Sequence, residues 1–452
     1  MSVPDIGSHV PDLRGPHRAA ESPTEDAKYG LNTAPGTQDD GWHTPPPVRL
    51  KDGTFVQLYK DGEGLLAAYE AIRLARARVC LEVYIWRDDA TGKKFVELLC
   101  EKAKQGVRVY VIYDSFGSDH KGRWMFKQMR RAGVKLAEFH PIRPWECKYS
   151  WRPMNRDHRK LCVIDNDMAW MGGLNIGDEY GGEWVAGKEA KTEFLMRDTA
   201  ISLVGPSARA LQKSFARTWS YVVAGGRISR ALFTHNLVEV CDPKGKRIGK
   251  QRRLPTTQTR RASRLSVPSV LAGEYAVMAS VPTLISPVRP VVYSLLRHAR
   301  KSVRMIMAYF APDDELIGLL CTAAKRGCKV QLIFAARSDL HVMTIAARSF
   351  YETLMEAGVE VYERQGAVLH AKTMTIDGRV SVVGSTNLDY RSIEFNLELS
   401  SLIDNDTFTK QVDQLMAHDI RFSRRIDPGE WRERPHWDRF VQWCVSRVRY
   451  LL

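Results

Sequence analysis

The stretch that decides the fold is Leu369–His370–Ala371–Lys372–Thr373–Met374–Thr375–Ile376–Asp377, which is followed by Gly384–Ser385–Thr386–Asn387. It is typical of a short strand, and the two-residue period of a strand places His370 and Lys372 on one face. Such a pair suits contact with a phosphate group. Asp377 lies seven residues after His370, an odd separation that turns it away from that face. We expect a turn or a structural ion pair at this aspartate.

The same arrangement occurs earlier, as His158–Arg159–Lys160–Leu161–Cys162–Val163–Ile164–Asp165 followed by Gly172–Gly173–Leu174–Asn175. Both copies fit H-x-K-x-x-x-x-D followed by G-[GS]-x-N. Asp165 is expected to have the same structural role as its counterpart in the other copy. Other segments repeat as well, for example Lys104–Gln105–Gly106–Val107 and Lys325–Arg326–Gly327–Cys328. The chain is therefore interpreted as a duplication in which each half supplies half of one site.

Helices and strands alternate along the first half. The pattern of apolar residues predicts a helix over Lys93–Lys104, a strand over Val107–Tyr113, a helix over Arg123–Ala132 and a strand over Val134–Phe139. Strands that alternate with helices of this length predict βαβ units and a parallel or mixed sheet. The fold class expected is α/β.

Composition divides the chain into five predicted segments. These are a disordered tail over residues 1–48, a first half over 49–240, a basic linker or insertion over 241–272, a second half over 273–430 and an amphipathic helix over 431–452. Within the basic segment, residues 244–264 contain nine Lys and Arg and no acidic residue. They are interpreted either as a solvated loop or as a cationic arm against a phosphate-rich surface.

The terminal helix also has two interpretations. Its apolar residues follow helical spacing, with arginines at other positions, which fits either a helix packed on the core or an interfacial membrane helix. The second is slightly favoured. The apolar residues are Trp437, Phe440, Val441, Cys444, Val445, Val448, Leu451 and Leu452.

Charge and cysteine content narrow the possible partners. The formal net charge of +15 and the pI near 9.4 favour an anionic partner, either a membrane surface or a nucleic acid. The eight cysteines show no C-x-x-C spacing, so we expect reduced, structural thiols and no zinc site. No window reaches the roughly 18 consecutive apolar residues of a spanning helix, so a peripheral membrane contact is expected.

Two histidines, two lysines and two asparagines facing each other would suffice for displacement at a phosphodiester without a metal or another cofactor. One histidine attacks phosphorus and forms a phosphohistidine, while the other protonates the leaving oxygen and later deprotonates the incoming water or alcohol. The residues alone do not distinguish the two roles. Lys160 and Lys372, each paired with a histidine of its motif, are also candidate catalytic residues. The candidates for binding or orienting the phosphate are Asn175, Asn387 and Ser385.

Each histidine needs a partner on its second ring nitrogen to fix its tautomer and orientation. Aligning the strand that follows each motif places Asp198 opposite Glu398. These two acids are the predicted orienting residues.

At these residues the chain resembles the phospholipase D superfamily, whose signature is the paired HKD motif, and within it the bacterial cardiolipin synthases. The likeness extends to Leu81–Ile85, Gly172–Tyr180 and Ala308–Leu316 and covers roughly residues 60 to 425. It implies a duplicated α/β/α sandwich with pseudo-twofold symmetry, mixed sheets and one active site between the halves. It further implies that His158 is the nucleophile and His370 the general acid and base.

The resemblance also implies a reaction and a location. A phosphatidyl group would pass from phosphatidylglycerol to the enzyme with release of glycerol, and then to a second phosphatidylglycerol to give cardiolipin; some relatives use phosphatidylethanolamine as donor. The expected partner is an anionic phospholipid membrane containing phosphatidylglycerol and cardiolipin, at the cytosolic face of the bacterial inner membrane. The polar N-terminal region resembles the subgroup without N-terminal transmembrane helices.

Three other functions are considered, of which two keep the same catalytic chemistry and one has none. A phospholipase D-type phosphodiesterase would hydrolyse the lipid instead of transferring it. A nuclease is less favoured, because aromatic and apolar loops such as Phe116, Trp124–Met125–Phe126 and Trp145 suit acyl chains better than a charged backbone. A non-enzymatic membrane scaffold is disfavoured because both His-Lys pairs are intact.

Overall fold

A computed structural model of the chain describes residues 41–118, 123–146, 154–181, 195–225, 238–240, 273–280 and 286–451. Most of the predicted tail and the whole basic stretch 244–264 lie outside these residues. The described part forms two large mixed sheets, one in each half of the chain, with helices packed on them.

The first sheet has the strand order β1-β2-β9-β7-β6-β3-β4-β5. Its strands are β1 (Val48–Arg49), β2 (Phe55–Lys60), β3 (Arg78–Val83), β4 (Arg108–Asp114), β5 (Lys135–Phe139), β6 (Leu161–Ile164), β7 (Met168–Gly172) and β9 (Thr199–Val204), and the short β8 (Met196–Arg197) lies outside it. The helices of this half are α1 (Gly62–Leu74), α2 (Ala90–Lys104), α3 (Arg123–Arg131), α4 (Asp178–Gly181) and α5 (Ala208–Val223), with a 3₁₀ turn at Pro144–Glu146.

The second sheet has the order β10-β11-β20-β18-β17-β12-β14-β15-β21. Its strands are β10 (Val238–Val240), β11 (Tyr275–Ala279), β12 (Ser302–Met307), β14 (Lys329–Ala335), β15 (Glu360–Arg364), β17 (Lys372–Ile376), β18 (Val380–Gly384), β20 (Leu399–Asp404) and β21 (Ser423–Arg425). Three short strands lie outside it: β13 (Phe310–Ala311), β16 (Val368–Leu369) and β19 (Leu388–Asp389).

The helices of the second half are α6 (Val288–His298), α7 (Asp314–Lys325), α8 (His341–Arg348), α9 (Tyr351–Glu356), α10 (Tyr390–Glu394), α11 (Asp406–Arg421), α12 (Pro428–Arg432) and α13 (His436–Val448), followed by a 3₁₀ turn at Arg449–Leu451.

The duplication predicted from the motifs is visible in the strand order. The series β2-β9-β7-β6-β3-β4-β5 of the first sheet has its counterpart in β11-β20-β18-β17-β12-β14-β15 of the second. In both series the last three strands are parallel to one another and the others are antiparallel, so the α/β class and the mixed sheets are confirmed. One boundary differs from expectation: β10 pairs with β11, although its residues fall at the end of the predicted first half.

Repeated sequence segments form repeated helix ends. Asp89 and Asp313 cap α2 and α7 by accepting hydrogen bonds from Gly92 N and Leu316 N, so α2 begins three residues earlier than its apolar pattern indicated. Both helices end before a glycine with φ of +87°, at Gly106 and Gly327. This left-handed conformation suits glycine and accounts for the repeated Gly in the sequence.

The two halves share one of the three large apolar cores. This shared core joins side chains of the first half, such as Ile201 and Leu203, with side chains of the second, such as Leu399 and Met416. The other two large cores each belong to one half. A buried contact between Met171 Sδ and Ser401 Oγ, 2.8 Å long, also crosses between the halves. The site residues therefore sit between two sheets that pack directly against each other.

Helix α13 combines parts of both interpretations of the terminal segment. Val445 packs against Ala311, Met343 and Ala346, so one side of the helix is attached to the protein. Trp437, Phe440 and Trp443 lie on its outer side and are 70, 52 and 53% exposed. The predicted apolar face is thus divided into a side that packs on the protein, which includes Val445, and an exposed stripe, which includes Trp443. Within the described residues, no helix has the length and apolar character needed to cross a bilayer.

Both motif aspartates hold turns. Asp165 accepts hydrogen bonds from the N–H groups of residues 76, 77 and 78, and Asp377 accepts them from residues 300, 301 and 302. Both have positive φ angles, 50° and 56°. Each carboxylate therefore fixes the loop that leads into β3 or β12, as expected for a turn residue.

We predict that Asp377→Ala lowers the free energy of unfolding by about 2 kcal/mol, because it removes the acceptor of three N–H groups and places alanine in a left-handed conformation. Urea denaturation measures the change. Glu97→Ala, at an exposed position of α2, is the control and should change stability by less than about 0.5 kcal/mol. Equal midpoints for the two variants would contradict this role of Asp377.

Candidate active site

The two halves are joined at the site by two short parallel pairings of backbone. His158 N donates to Leu397 O at 2.9 Å, and Leu397 N donates to Arg156 O at 2.8 Å. In the other pairing, β16 runs parallel to β8, and His370 N donates to Arg197 O at 2.8 Å. Each histidine is thus aligned with a strand of the opposite half.

The residue after Arg197 is Asp198 and the residue after Leu397 is Glu398, so these pairings bring each histidine to the carboxylate of the other half. His158 Nδ1 lies 3.1 Å from Glu398 Oε1, and His370 Nδ1 lies 2.7 Å from Asp198 Oδ2. The ring centroids of the two histidines are 6.5 Å apart. Because Nδ1 faces the carboxylate, Nε2 is the ring nitrogen left for chemistry.

The prediction that each histidine and lysine share one continuous strand is wrong in detail. Strand β17 begins at Lys372 and β6 begins at Leu161, so both histidines precede the sheet strand. The reason is that their backbones pair across the halves and cannot also pair within the sheet. Lys160 Nζ and Lys372 Nζ each donate to the carbonyl of their own histidine, which places both ammonium groups beside the rings.

The two motif asparagines are fixed by the backbone just beyond the ends of β3 and β12. Asn175 Oδ1 accepts from Ile85 N at 3.0 Å, and Asn387 Oδ1 accepts from Tyr309 N at 3.3 Å. Both side chains are buried. With its carbonyl oxygen used in this way, each amide retains its NH₂ group as the donor that a phosphate oxygen would need.

The G-[GS] position differs between the halves for a geometric reason. Ser385 Oγ donates to Glu398 Oε2 at 2.5 Å, so this serine orients a carboxylate. At the matching Gly173, a Cβ atom would lie 2.1 Å from Asp198 Oδ1. Glycine is therefore required where the orienting acid is this aspartate.

Two buried arginines attach the site to the opposite half. Arg159, the middle residue of the first motif, donates to Ser280 O and to Thr218 Oγ1, both at 2.7 Å. Arg197 forms a two-pronged ion pair with Asp419 at 2.8 and 2.7 Å. Each guanidinium has several donors in a rigid plane. These contacts hold the segment that carries His158 and the segment that carries Asp198, the acid paired with His370.

Sequence reasoning missed three tyrosines around the histidines. The ring of Tyr84 packs edge-on to His158 with centroids 5.0 Å apart, and Tyr180 and Tyr309 pack edge-on to His370 at 5.6 and 6.4 Å. All three lie in stretches that carry the resemblance, but a tyrosine in such a stretch gives no signal of its own. Tyr84 and Tyr309 each contact the histidine of their own half, whereas Tyr180 reaches His370 across the junction of the halves.

Burial and charge separate the properties of the two histidines. Burial, followed by the charges of Lys160 and Lys372, lowers the pKa of His158 well below its ordinary value. The pKa of His370 is also lowered by burial and by Lys372, but the carboxylate of Asp198 opposes this effect. The surroundings therefore lower the pKa of both rings, and at His370 a nearby carboxylate opposes the lowering.

The two carboxyl groups paired with the histidines also differ in the direction of their pKa shifts. Although burial acts to raise it, the pKa of Asp198 is lowered by the charge of His370 and the hydrogen bond from it. Burial raises the pKa of Glu398 to about 7, against the opposing charge of Lys160. Burial lowers the pKa of Lys160 to about 7 as well, opposed by Glu398. The carboxyl group of Asp198 is therefore more readily ionised than that of Glu398.

In the described residues, no group of three or more His, Cys, Asp or Glu is arranged to hold a metal ion. The six described cysteines, at positions 80, 100, 162, 321, 328 and 444, are all free. Met125 and Phe126, named above among candidates for acyl-chain contact, are buried in the core of the first half, whereas Phe116 and Trp145 are 61 and 79% exposed.

Two similar sheets with a histidine and a carboxylate contributed across their junction define a phospholipase D-type fold. A solved phosphatidylserine synthase from Haemophilus influenzae Rd KW20 has a similar fold, with a TM-score of 0.64 over 90% of this chain and 97% of that one, at 15% sequence identity.

The chain also matches the family described as cardiolipin synthase, PLD-like domain, over residues 69–190 and 292–420, and it belongs to that family. The cardiolipin synthase of Geobacillus thermodenitrificans is 30% identical over 403 residues, which cover 89% of this chain and 72% of the relative. The probable cardiolipin synthase YwiE of Bacillus subtilis is 27% identical over 396 residues, covering 87% of this chain and 71% of the relative.

We predict that Asp198→Asn lowers the pKa of His370, because the negative charge that raises this pKa is removed while the shape of the side chain is kept. The protonated fraction of His370 at a given pH therefore falls. NMR titration of isotope-labelled histidine measures the shift. Asp167→Asn, in the exposed turn between β6 and β7, is the control, and an equal effect of both substitutions would contradict the proposed coupling.

Proposed function

We propose that the protein is a cardiolipin synthase-type phosphatidyltransferase that uses phosphatidylglycerol as donor and acceptor. The observation that carries the proposal is the pair of histidine rings 6.5 Å apart, each held through Nδ1 by a carboxylate of the other half. This arrangement can place a nucleophile and a proton donor on opposite sides of one phosphorus atom. Membership of the cardiolipin synthase family supports the substrate class.

In the first step His158 Nε2 attacks phosphorus, the bond from phosphorus to the glycerol oxygen breaks, and protonated His370 gives its proton to that oxygen. Glycerol leaves and a phosphatidyl-histidine remains. In the second step His370 takes the proton from a hydroxyl of a second phosphatidylglycerol, the oxygen attacks phosphorus, and the N–P bond breaks. Cardiolipin forms, and His370 is protonated again for the next cycle.

The assignment of roles is supported by the surroundings of the rings. A nucleophile must be neutral, and the pKa of His158 is held well below its ordinary value by burial and the nearby lysines. A general acid must take up and release a proton, and the carboxylate of Asp198, 2.7 Å from His370 Nδ1, opposes the lowering of the pKa of this ring. Lys160, Lys372 and the amide groups of Asn175 and Asn387 are the proposed contacts for the non-bridging phosphate oxygens.

We further propose that helix α13 places the enzyme on an anionic membrane surface. Its exposed stripe of Trp437, Phe440 and Trp443 has ring centroids 5.6 and 6.3 Å apart, and Arg447 lies over the ring of Trp443. Aromatic rings flanked by arginine suit the level of lipid headgroups. The net charge of +15 adds attraction to a bilayer of negative surface potential.

We predict that the purified protein converts vesicles of phosphatidylglycerol into cardiolipin and free glycerol in the presence of EDTA, because its own side chains supply the nucleophile, the acid and the cationic contacts. Mass spectrometry of the lipids and an assay of glycerol measure both products. Phosphatidic acid as the sole phosphatidyl product would instead identify a hydrolase.

His158→Ala and His370→Ala should each lower the rate by about a thousandfold or more, since residues that act as one unit lose activity together. His298→Ala, on α6 and with Nδ1 2.7 Å from the carbonyl oxygen of Ser294, is the matched control and should retain activity. A rapid-quench experiment should find the phosphatidyl group on the peptide containing His158. Robust turnover in either motif variant would refute the mechanism.

A triple substitution of the α13 stripe, Trp437→Ala with Phe440→Ala and Trp443→Ala, is expected to weaken binding to phosphatidylglycerol vesicles by at least about tenfold, because three large apolar side chains leave the interface. Vesicle sedimentation measures the change. Leu74→Ala with Val223→Ala removes exposed apolar side chains of α1 and α5 and should leave binding unchanged. Equal binding of both variants would show that α13 is not the membrane contact.

A further inference from the structure

The pseudo-twofold symmetry of the site is broken at one position beside the motif asparagines. Ile85 N and Tyr309 N make equivalent hydrogen bonds to Asn175 and Asn387. Tyr309 is therefore the counterpart of Ile85, and a side chain with a hydroxyl group occurs only at the position in the second half. This is the half that contains His370, the proposed acid and base.

The hydroxyl of Tyr309 is directed to a carboxylate at the edge of the site. Its ring lies edge-on to His370, and its oxygen is 2.7 Å from both Oδ1 and Oδ2 of Asp339. Asp339 belongs to the exposed loop between β14 and α8, and Ser338 Oγ also donates to it at 3.1 Å. A carboxylate has about four acceptor positions, so these contacts leave room for further donors.

Asp339 interacts electrostatically with the site. Although burial acts to raise it, the pKa of Asp339 is lowered by the charge of His370, by the hydrogen bonds from Tyr309 and Ser338, and by Lys372. An ionised carboxylate repels phosphate oxygens and attracts hydroxyl donors. Its position near His370 therefore suits the alcohol that reacts and not the phosphate that is transferred.

We propose that Tyr309 and Asp339 form the subsite that binds the acceptor alcohol and selects a vicinal diol. The headgroup of phosphatidylglycerol carries two free hydroxyl groups on neighbouring carbons. One donates to Asp339, and the other is thereby placed against His370 Nε2. This proposal rests on the proposed phosphatidyl transfer and assigns its acceptor site.

In the second step the subsite positions the acceptor and does not itself transfer a proton. The bound hydroxyl oxygen attacks phosphorus, its proton passes to His370, and the N–P bond to His158 breaks. Asp339 keeps its charge throughout, because it holds the neighbouring hydroxyl and not the one that loses its proton. Water and simple alcohols have no second hydroxyl to bind, so they gain no such positioning.

The test is a competition among three acceptors in one reaction. The full-length enzyme is given phosphatidylglycerol vesicles in buffer containing ethanol, and mass spectrometry measures cardiolipin, phosphatidylethanol and phosphatidic acid. Asp339→Asn should lower the ratio of cardiolipin to phosphatidylethanol by about tenfold, since a hydrogen bond to a charged group is lost. Tyr309→Phe should lower the same ratio by a smaller factor, because Asp339 remains.

Tyr293→Phe is the matched control. Tyr293 OH donates to Asp313 at 2.8 Å in the same half of the chain, so this substitution removes an equivalent Tyr–Asp bond between α6 and α7. It should leave the product ratio unchanged, and because a ratio is measured, a loss of folded protein does not affect the result.

The outcomes separate the two proposals. Wild-type enzyme that makes none of the three products refutes the phosphatidyl transfer itself. Wild-type enzyme that makes cardiolipin, with a product ratio that Asp339→Asn does not change, overturns the acceptor subsite and leaves the transfer intact. A uniform loss of all three products in Asp339→Asn also overturns it, because the product ratio is then unchanged and Asp339 does not select the acceptor.

Discussion

The active site depends on two backbone hydrogen bonds that cross between the halves, from His158 N to Leu397 O and from His370 N to Arg197 O. Each bond aligns a histidine with a segment whose next residue is a carboxylate. The shared apolar core and the buried Arg197–Asp419 ion pair hold these segments in place. Without this alignment both rings would lack the partner that fixes their tautomer.

Although the two halves have similar folds, their histidines are not equivalent. The acid opposite His370 is a short aspartate at 2.7 Å whose pKa is lowered, and the acid opposite His158 is a glutamate whose pKa burial raises to about 7. A second difference is Tyr309, which replaces Ile85 and reaches Asp339. Both differences concern the surroundings of His370, which agrees with distinct tasks for two residues of the same type.

Much of this could be predicted from the sequence, because the decisive features repeat. Two copies of one motif, with matching followers, indicated the duplication and the paired site, and the alignment of the strands after each motif led to Asp198 and Glu398. Features without a local pattern were missed. Asp339 lies in a loop and Tyr84 just after strand β3, and only the tertiary fold of each half brings them near the histidines. The split face of α13 was missed because helical spacing does not show which side is covered.

Gly173 illustrates how two residues of one half, which orient the histidine of the other half, constrain each other during evolution. A single ancestral copy could have completed such a site only by pairing with an identical subunit about a twofold axis, so every substitution would have appeared on both sides at once. Fusion of the copies released that restriction. Yet Gly173 cannot gain a side chain while Asp198 remains, since a Cβ would approach Oδ1 to 2.1 Å. Descendants of the fused gene are therefore expected to exchange such residues in linked pairs, and a single substitution at either position disturbs the histidine that the other half provides.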